Sequence, residues 1–255
     1  MTWLKPNENA PLQVLMPMAG RGSRFAAHAP HSPKPLIPVS GLPMFRHALD
    51  SLAPLPVGRE VVAVVRAADV GACDIGARLA SWWPGIGVAL SESPTRGPVE
   101  SCLCAERSFV PNRALLVLDC DLRFTAPAFL RRAAVAARGQ ADADAVLLCF
   151  PSRDPRYSFA ELDGDSVVDV AEKRAISGTA ICGAYLFRSA ACFFDAARRL
   201  MRKPPMPEYY VSGACKELLV LGGRIKAVMA ETVLSFGTPE ELARSAPLLP
   251  ALEAA

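Results

Sequence analysis

Gly20, Gly22, Arg24 and Lys34 are the residues of this chain whose types and spacing first point to chemistry. They lie in Val14-Leu15-Met16-Pro17-Met18-Ala19-Gly20-Arg21-Gly22-Ser23-Arg24-Phe25 and the Ser32-Pro33-Lys34-Pro35-Leu36-Ile37-Pro38-Val39 that follows. An apolar strand here runs into a glycine-rich turn and then two cations. Glycines let backbone N–H groups close on an anion, and the two cations supply charge that neutral amides lack, so the stretch is expected to hold a polyphosphate. Met18, Ala19, Gly20, Arg21, Gly22 and Ser23 are the expected contacts to that polyphosphate. A Walker loop is excluded because no Gly-Lys-Ser/Thr follows, and a dinucleotide fingerprint is excluded because Phe25 stands where a third glycine would be needed.

A second set is acidic. Ala114-Leu115-Leu116-Val117-Leu118 reads as a buried strand that delivers Asp119 and Asp121 at its carboxyl end, where open parallel sheets bind ligands. Alternation turns both carboxylates to one side. Hard oxygen donors there suit Mg²⁺, which takes one or two carboxylates plus phosphate oxygens; the plainer reading is a pair of caps or turn formers. Glu172 and Lys173 form a third set, which by itself says no more than an exposed ion pair.

The elements that must position these residues follow from periodicity. A helix is expected from Met44 to Leu52, stopped by Pro54-Leu55-Pro56. The β-branched run Glu60 to Arg66 marks a strand covered on both faces, as in a parallel sheet. A helix from Cys73 to Trp82, a strand from Gly87 to Leu90 and a helix from Val99 to Phe109 come next. Later elements are a helix from Pro127 to Gly139, a strand from Ala143 to Phe150, a hairpin turning on Asp163-Gly164, a strand over Ala180 to Phe187, helices over Ala190 to Arg202 and Gly213 to Leu221, and a strand over Arg224 to Ala230. Thr238 is a cap for the last helix. The 255 residues fit one large α/β domain.

Composition narrows the partners. A net charge of +3 is too small to argue for nucleic acid. The eight cysteines are scattered, with no Cys-x-x-Cys pair, and read as reduced thiols. Met1 to Pro11 lacks the basic and apolar regions of a signal peptide, and no apolar segment is long enough to span a bilayer, so a cytoplasmic protein that binds no membrane is expected.

Met16 to Phe25, with Pro33 to Val39 and Gly41-Leu42-Pro43-Met44, resembles the signature of the sugar-phosphate nucleotidyltransferases. The resemblance implies an α/β fold of the nucleotide-diphosphosugar transferase type: a mostly parallel, Rossmann-like central sheet with helices on both faces and a small hairpin region. It also implies a nucleotide-binding half over about residues 12–125 and an acceptor-binding half over about 126–245. The implied reaction condenses a nucleoside triphosphate with a small phosphorylated acceptor and releases pyrophosphate, with Mg²⁺ as cofactor. Arg24 and Lys34 become the catalytic cations and Gly97 the loop glycine beside the base. Asp121 takes the metal position with Asp119 beside it, and Glu172, Lys173 and Gly183 become the acceptor contacts.

The chain departs from that pattern at Ser235, where many relatives carry a second metal aspartate; Asp119 and Glu231 are the candidate replacements, or phosphates and water complete the site. His28, His31 and His47 have no expected role, because a phosphate nucleophile needs no base. The first motif resembles bacterial members from capsule and surface-polysaccharide pathways, several of which use CTP. Asp119-Cys120-Asp121 also fits a metal-dependent glycosyltransferase, and Ser235 a non-catalytic nucleotide binder. The sequence leaves base, acceptor and oligomeric state open, a homo-oligomer included.

Overall fold

The computed structural model describes residues 10–29, 32–204 and 206–253; His31 and the segment before residue 10 lie outside them. Among the described residues the strands are β1 Leu12–Pro17, β2 Pro38–Val39, β3 Leu42–Pro43, β4 Arg59–Arg66, β5 Gly87–Ser91, β6 Leu115–Leu118, β7 Leu122–Thr125, β8 Ala145–Pro151, β9 Ser158–Asp163, β10 Ser166–Glu172, β11 Thr179–Phe187, β12 Ile225–Met229 and β13 Thr232–Ser235. Nine of them form one sheet in the order β5-β4-β1-β6-β11-β8-β12-β10-β9, while β7 pairs with β13 and β2 with β3.

The central strands are buried on both faces, as their unbroken apolar runs require. Val14 and Met16 of β1 pack into one core with Leu116 and Leu118 of β6, whereas Leu15 packs into the other with Leu115 and Val117. Helices Met44–Asp50 and Pro127–Ala137 cover the first face, and helices Ala190–Met201 and Val211–Val220 the second. The one polar side chain buried in β1, Gln13, has its amide satisfied by accepting from Val110 N (2.6 Å) and donating to the Val110 and Arg113 carbonyls (3.2 Å each). Burial therefore leaves no unpaired amide in the middle of the sheet.

The sheet is mixed, which corrects the expectation of a mostly parallel one. β5, β4, β1 and β6 run parallel, and β12 runs parallel to β8. β11 is antiparallel to both β6 and β8, and β10 is antiparallel to β9 and β12. An apolar run reports burial on two faces and carries no record of strand direction, so β8 and β11 look in sequence like β4.

Smaller differences are local. The helix expected from Cys73 to Trp82 spans Ile75–Trp82, and a helix without an expectation, Ala67–Cys73, precedes it; Asp74 between them sits at φ 48° and accepts from Ala77 N (3.4 Å) to cap the second. The hairpin turns one residue later than expected, on Gly164-Asp165, with Gly164 at φ 62°. His47 is buried in helix Met44–Asp50, and its Nε2 donates to the Val39 carbonyl (2.8 Å).

All eight cysteines are free, with Cys104 exposed. Among the described residues no helix is long and apolar enough to cross a membrane.

Candidate functional site

β1 is the strand at which the chain order reverses, with β4 on one side and β6 on the other. Such switch points open a crevice beyond the carboxyl ends of the strands. Leu15 pairs with Val117, so the loop leaving β1 and the aspartates leaving β6 emerge at the same end of the sheet. They meet in a cavity of about 440 Å³, lined by Met18, Gly20, Arg21, Gly22, Ser23 and Arg24 from the first loop and by Lys34, Asp119 and Asp121. Glu172, Lys173 and Gly183 line it as well, although they come from β10, the turn after it and β11. A volume of this size accommodates a drug-sized or nucleotide-sized ligand in part or whole.

The first loop places its cations by close packing. Gly22 lies at φ 61° against Lys34, and a Cβ there would sit 3.1 Å from the Lys34 Cβ. Lys34, at the start of a short 3₁₀ turn, donates to Asp121 Oδ2 across the cavity. Burial pulls the Lys34 ammonium down, but the Asp121 charge, its hydrogen bond and the Asp119 charge outweigh it and hold the group above the usual lysine range. For Asp121, burial pushes the carboxyl up and the Lys34 charge and hydrogen bond overcome it, so it stays below the usual range. Asp119 has no such partner. Burial, and then the Asp121 charge, raise its carboxyl to about 8 despite Lys34. Two carboxylates sharing one lysine leave a site where further positive charge binds favourably.

Asp119 is held from below. Its N–H donates to the Gly183 carbonyl (2.8 Å), and a Cβ on Gly183, which lies at φ 91°, would meet Asp119 Oδ2 at 2.5 Å. Gly183 thus makes room for the carboxylate as well as lining the cavity. Glu172 is paired in register with Ser158, and Ser158 with Ile181, which brings the end of β10 beside β11. The Ser158 and Ser212 hydroxyls both donate to Glu172 Oε2, the latter at 2.7 Å. Lys173 sits in the left-handed region at φ 52°, a conformation a lysine adopts only when its surroundings impose it. Its ammonium bonds the Tyr210 hydroxyl, which donates to Glu208.

Two expected residues stand apart. Ala19 is buried in the core beneath the loop, and Gly97 does not line the cavity, although its neighbour Pro98 does. Gly97 is required for another reason. It lies at φ 124°, and a Cβ on it would come within 2.7 Å of both the N and O of Tyr209, where Tyr209 N donates to Arg96 O and Val99 N to Tyr209 O. Gly97→Ala should therefore strain the loop and break this backbone pairing, destabilising the fold by about 2 kcal/mol or more. A fall in Tm of at least about 4 °C in differential scanning calorimetry is expected, and an unchanged Tm contradicts the packing argument.

The cavity also contains residues without an expected role: Arg156, Tyr157, Tyr185, Glu208, Tyr210 and Glu241. Of the replacements considered for Ser235, Asp119 lies in the cavity, whereas Glu231 is exposed and outside its lining. Among the described residues no group of three or more His, Cys, Asp and Glu side chains is placed to hold a metal alone. Paired Asp119 and Asp121 fit a hard cation that draws its remaining ligands from phosphate and water.

The sequence profile of the MobA-like NTP transferase domain matches residues 15–227. The fold is similar to that of a nucleoside-diphosphate-sugar pyrophosphorylase from Vibrio cholerae RC9, with TM-score 0.76, 22% identity, and coverage of 92% of this chain and 99% of that one. It is also similar to the inositol-1-phosphate CTP transferase from T. maritima, with TM-score 0.75, 14% identity, and coverage of 96% and 97%. In sequence, a stretch of 55 residues is 38% identical to the 2-C-methyl-D-erythritol 4-phosphate cytidylyltransferase of Acidobacterium capsulatum; it spans 21% of this chain and 23% of that enzyme.

Proposed function

The chain belongs to the MobA-like NTP transferase family, and on that footing we propose that it is a nucleotidyltransferase that joins a nucleoside triphosphate to a small phosphorylated acceptor and releases pyrophosphate. The observation that carries this reading is the single cavity in which the Gly20–Arg24 loop, Lys34, Asp119 and Asp121 face Glu172 and Lys173. One side is built for a polyphosphate and the other for a second anion.

Each residue then has a task. The Gly20–Ser23 turn and Arg24 take the β- and γ-phosphates, and Lys34 the α-phosphate. The base lies beside the loop of Gly97 and Pro98. Lys173 holds the acceptor phosphate. Glu172, fixed through one oxygen by Ser158 and Ser212, leaves its other oxygen to accept a hydrogen bond from the acceptor. An acceptor phosphate oxygen attacks the α-phosphorus; the bond from that phosphorus to the bridging oxygen breaks, and pyrophosphate leaves with the electron pair. Phosphate dianions are nucleophilic without a general base, so catalysis is positioning and charge neutralisation. Mg²⁺ held by Asp121 and Asp119 would add positive charge on phosphate oxygens.

CTP is the first triphosphate to test, because two of the similar proteins bear cytidylyl-transfer names. The experiment is a pyrophosphate-release screen of CTP, UTP, ATP, GTP and dTTP with Mg²⁺ against phosphorylated sugars, polyols and amines. Release from one triphosphate only when one acceptor is present is the expected result. Stabilisation by nucleoside diphosphosugars, with no pyrophosphate from any pairing, would favour the glycosyltransferase that Asp119-Cys120-Asp121 also fits.

A further inference from the structure

Glu241 is a carboxylate without a place in the scheme above. It is the third residue of helix Pro239–Ser245, and its N–H donates to the Thr238 hydroxyl (3.2 Å), which is half of a capping box. In a complete box the glutamate turns back to the cap residue. Here the side chain enters the cavity and is 5% exposed. Its Oε1 accepts from the Tyr157 hydroxyl (2.6 Å) and lies 3.5 Å from the Arg156 guanidinium.

Oε2 receives no hydrogen bond from any described residue, and it faces Asp121. The measure is Gly237, where a Cβ would lie 2.9 Å from Glu241 Oε2, 3.3 Å from Asp121 Oδ2 and 3.7 Å from Ser235 Oγ. Three oxygens thus surround a space left open by a missing methyl group. Lys34 already pairs with Asp121 Oδ2 and Arg156 stands at Glu241 Oε1, so what the gap offers a hard cation is the bare Oε2 of a nine-tenths buried carboxylate beside a second carboxylate oxygen.

We infer that Glu241 is a ligand of a hard divalent cation shared with Asp121, with Tyr157 orienting its carboxylate and Gly237 providing the space. The anchored Oε1 fixes the rotamer, so Oε2 is presented without ordering on binding. This inference rests on the nucleotidyltransferase reading only for the use of the cation; the site itself stands on the geometry.

The test uses Mn²⁺ alone, titrated into the full-length protein and followed by calorimetry and by the loss of the free-ion electron-paramagnetic-resonance signal. Glu241→Gln keeps a carbonyl oxygen for Tyr157 and removes the charge, so it preserves the packing. It should weaken Mn²⁺ at least about tenfold with little change in Tm. Adding Ser235→Asp to that variant should restore most of the affinity, because Ser235 faces the same space. Tyr157→Phe should weaken Mn²⁺ less than Glu241→Gln does. Mn²⁺ affinity lost in Asp121→Asn but intact in Glu241→Gln overturns the assignment of Glu241 and leaves the reading of the cavity standing. Wild-type protein that binds no Mn²⁺ overturns the shared Glu241–Asp121 site, while pyrophosphate release measured in parallel with and without Mg²⁺ reports separately on the transferase.

Discussion

Asp121→Asn will lower pyrophosphate release at saturating substrates by at least about 10²–10³-fold and remove its response to added Mg²⁺. The size of the effect comes from two losses at one atom. Asp121 Oδ2 is the counter-charge of Lys34, and in the proposed mechanism Asp121 is also a ligand of the cation. Asparagine keeps the shape and can still accept a hydrogen bond, but it carries no charge, so the Lys34 ammonium is left partly buried with only Asp119 nearby. Both partners of the pair are about one-fifth exposed, so solvent screens part of that loss and the fold should survive it. The check is a Mg²⁺ titration of turnover alongside a thermal melt. A folded variant that keeps its rate and its Mg²⁺ response within a few-fold would falsify the metal role of Asp121. Asp119→Asn provides the comparison: it removes a carboxylate already raised toward the neutral form by burial and by Asp121, and it should cost less.

Much of this site was legible because its parts are short and local. Gly20 to Arg24 and Lys34 announce a phosphate loop by residue type, and Leu115 to Leu118 followed by two aspartates announces a strand end; each lies where a ligand would enter. Glu172 and Lys173 were legible only through resemblance, since an isolated ion pair has no signal. What stayed hidden depends on contacts between distant segments. Glu241 occupies the third position of a helix behind a threonine, and that spacing reads as a cap; only the approach of Tyr157, from a loop far away in sequence, turns its carboxylate into the cavity. Tyr210 and Glu208 are likewise placed by the Lys173 side chain. β7 and β13 are four residues each, too short for periodicity, yet their pairing of Leu122 with Ser235 is what sets Ser235 beside Asp121. At Gly97, read in sequence for its place beside a ligand, the structure adds a packing reason that sequence does not carry, the approach of the Tyr209 backbone. Strand direction was hidden for a third reason, since burial on two faces makes parallel and antiparallel strands equally apolar.

Lys34→Ala should reduce kcat by about 10²–10³-fold and change the apparent affinity for the triphosphate far less. In the structure the lysine is already paired, with Asp121, and it is held above the ordinary lysine range by that carboxylate and its neighbours. Binding a triphosphate therefore exchanges one anionic partner for another, and the net gain in the ground state is small. In the transition state charge gathers on the α-phosphoryl oxygens as the nucleophile arrives and pyrophosphate departs, and there the ammonium gains more than it gives up. Its position does not depend on the ligand, because Gly22 packs on its Cβ and the Phe25 ring centroid lies 5.9 Å from Nζ. Lys34→Arg retains the charge but not the shape: a guanidinium in the space bounded by Gly22 and Phe25 must displace one of them, so it should recover only part of the lost rate. Steady-state kinetics with the triphosphate varied, together with its Kd in the absence of acceptor, separate the two quantities. A variant that loses affinity and keeps its turnover would place Lys34 among the groups that merely hold the nucleotide, and would move the developing charge to Arg24.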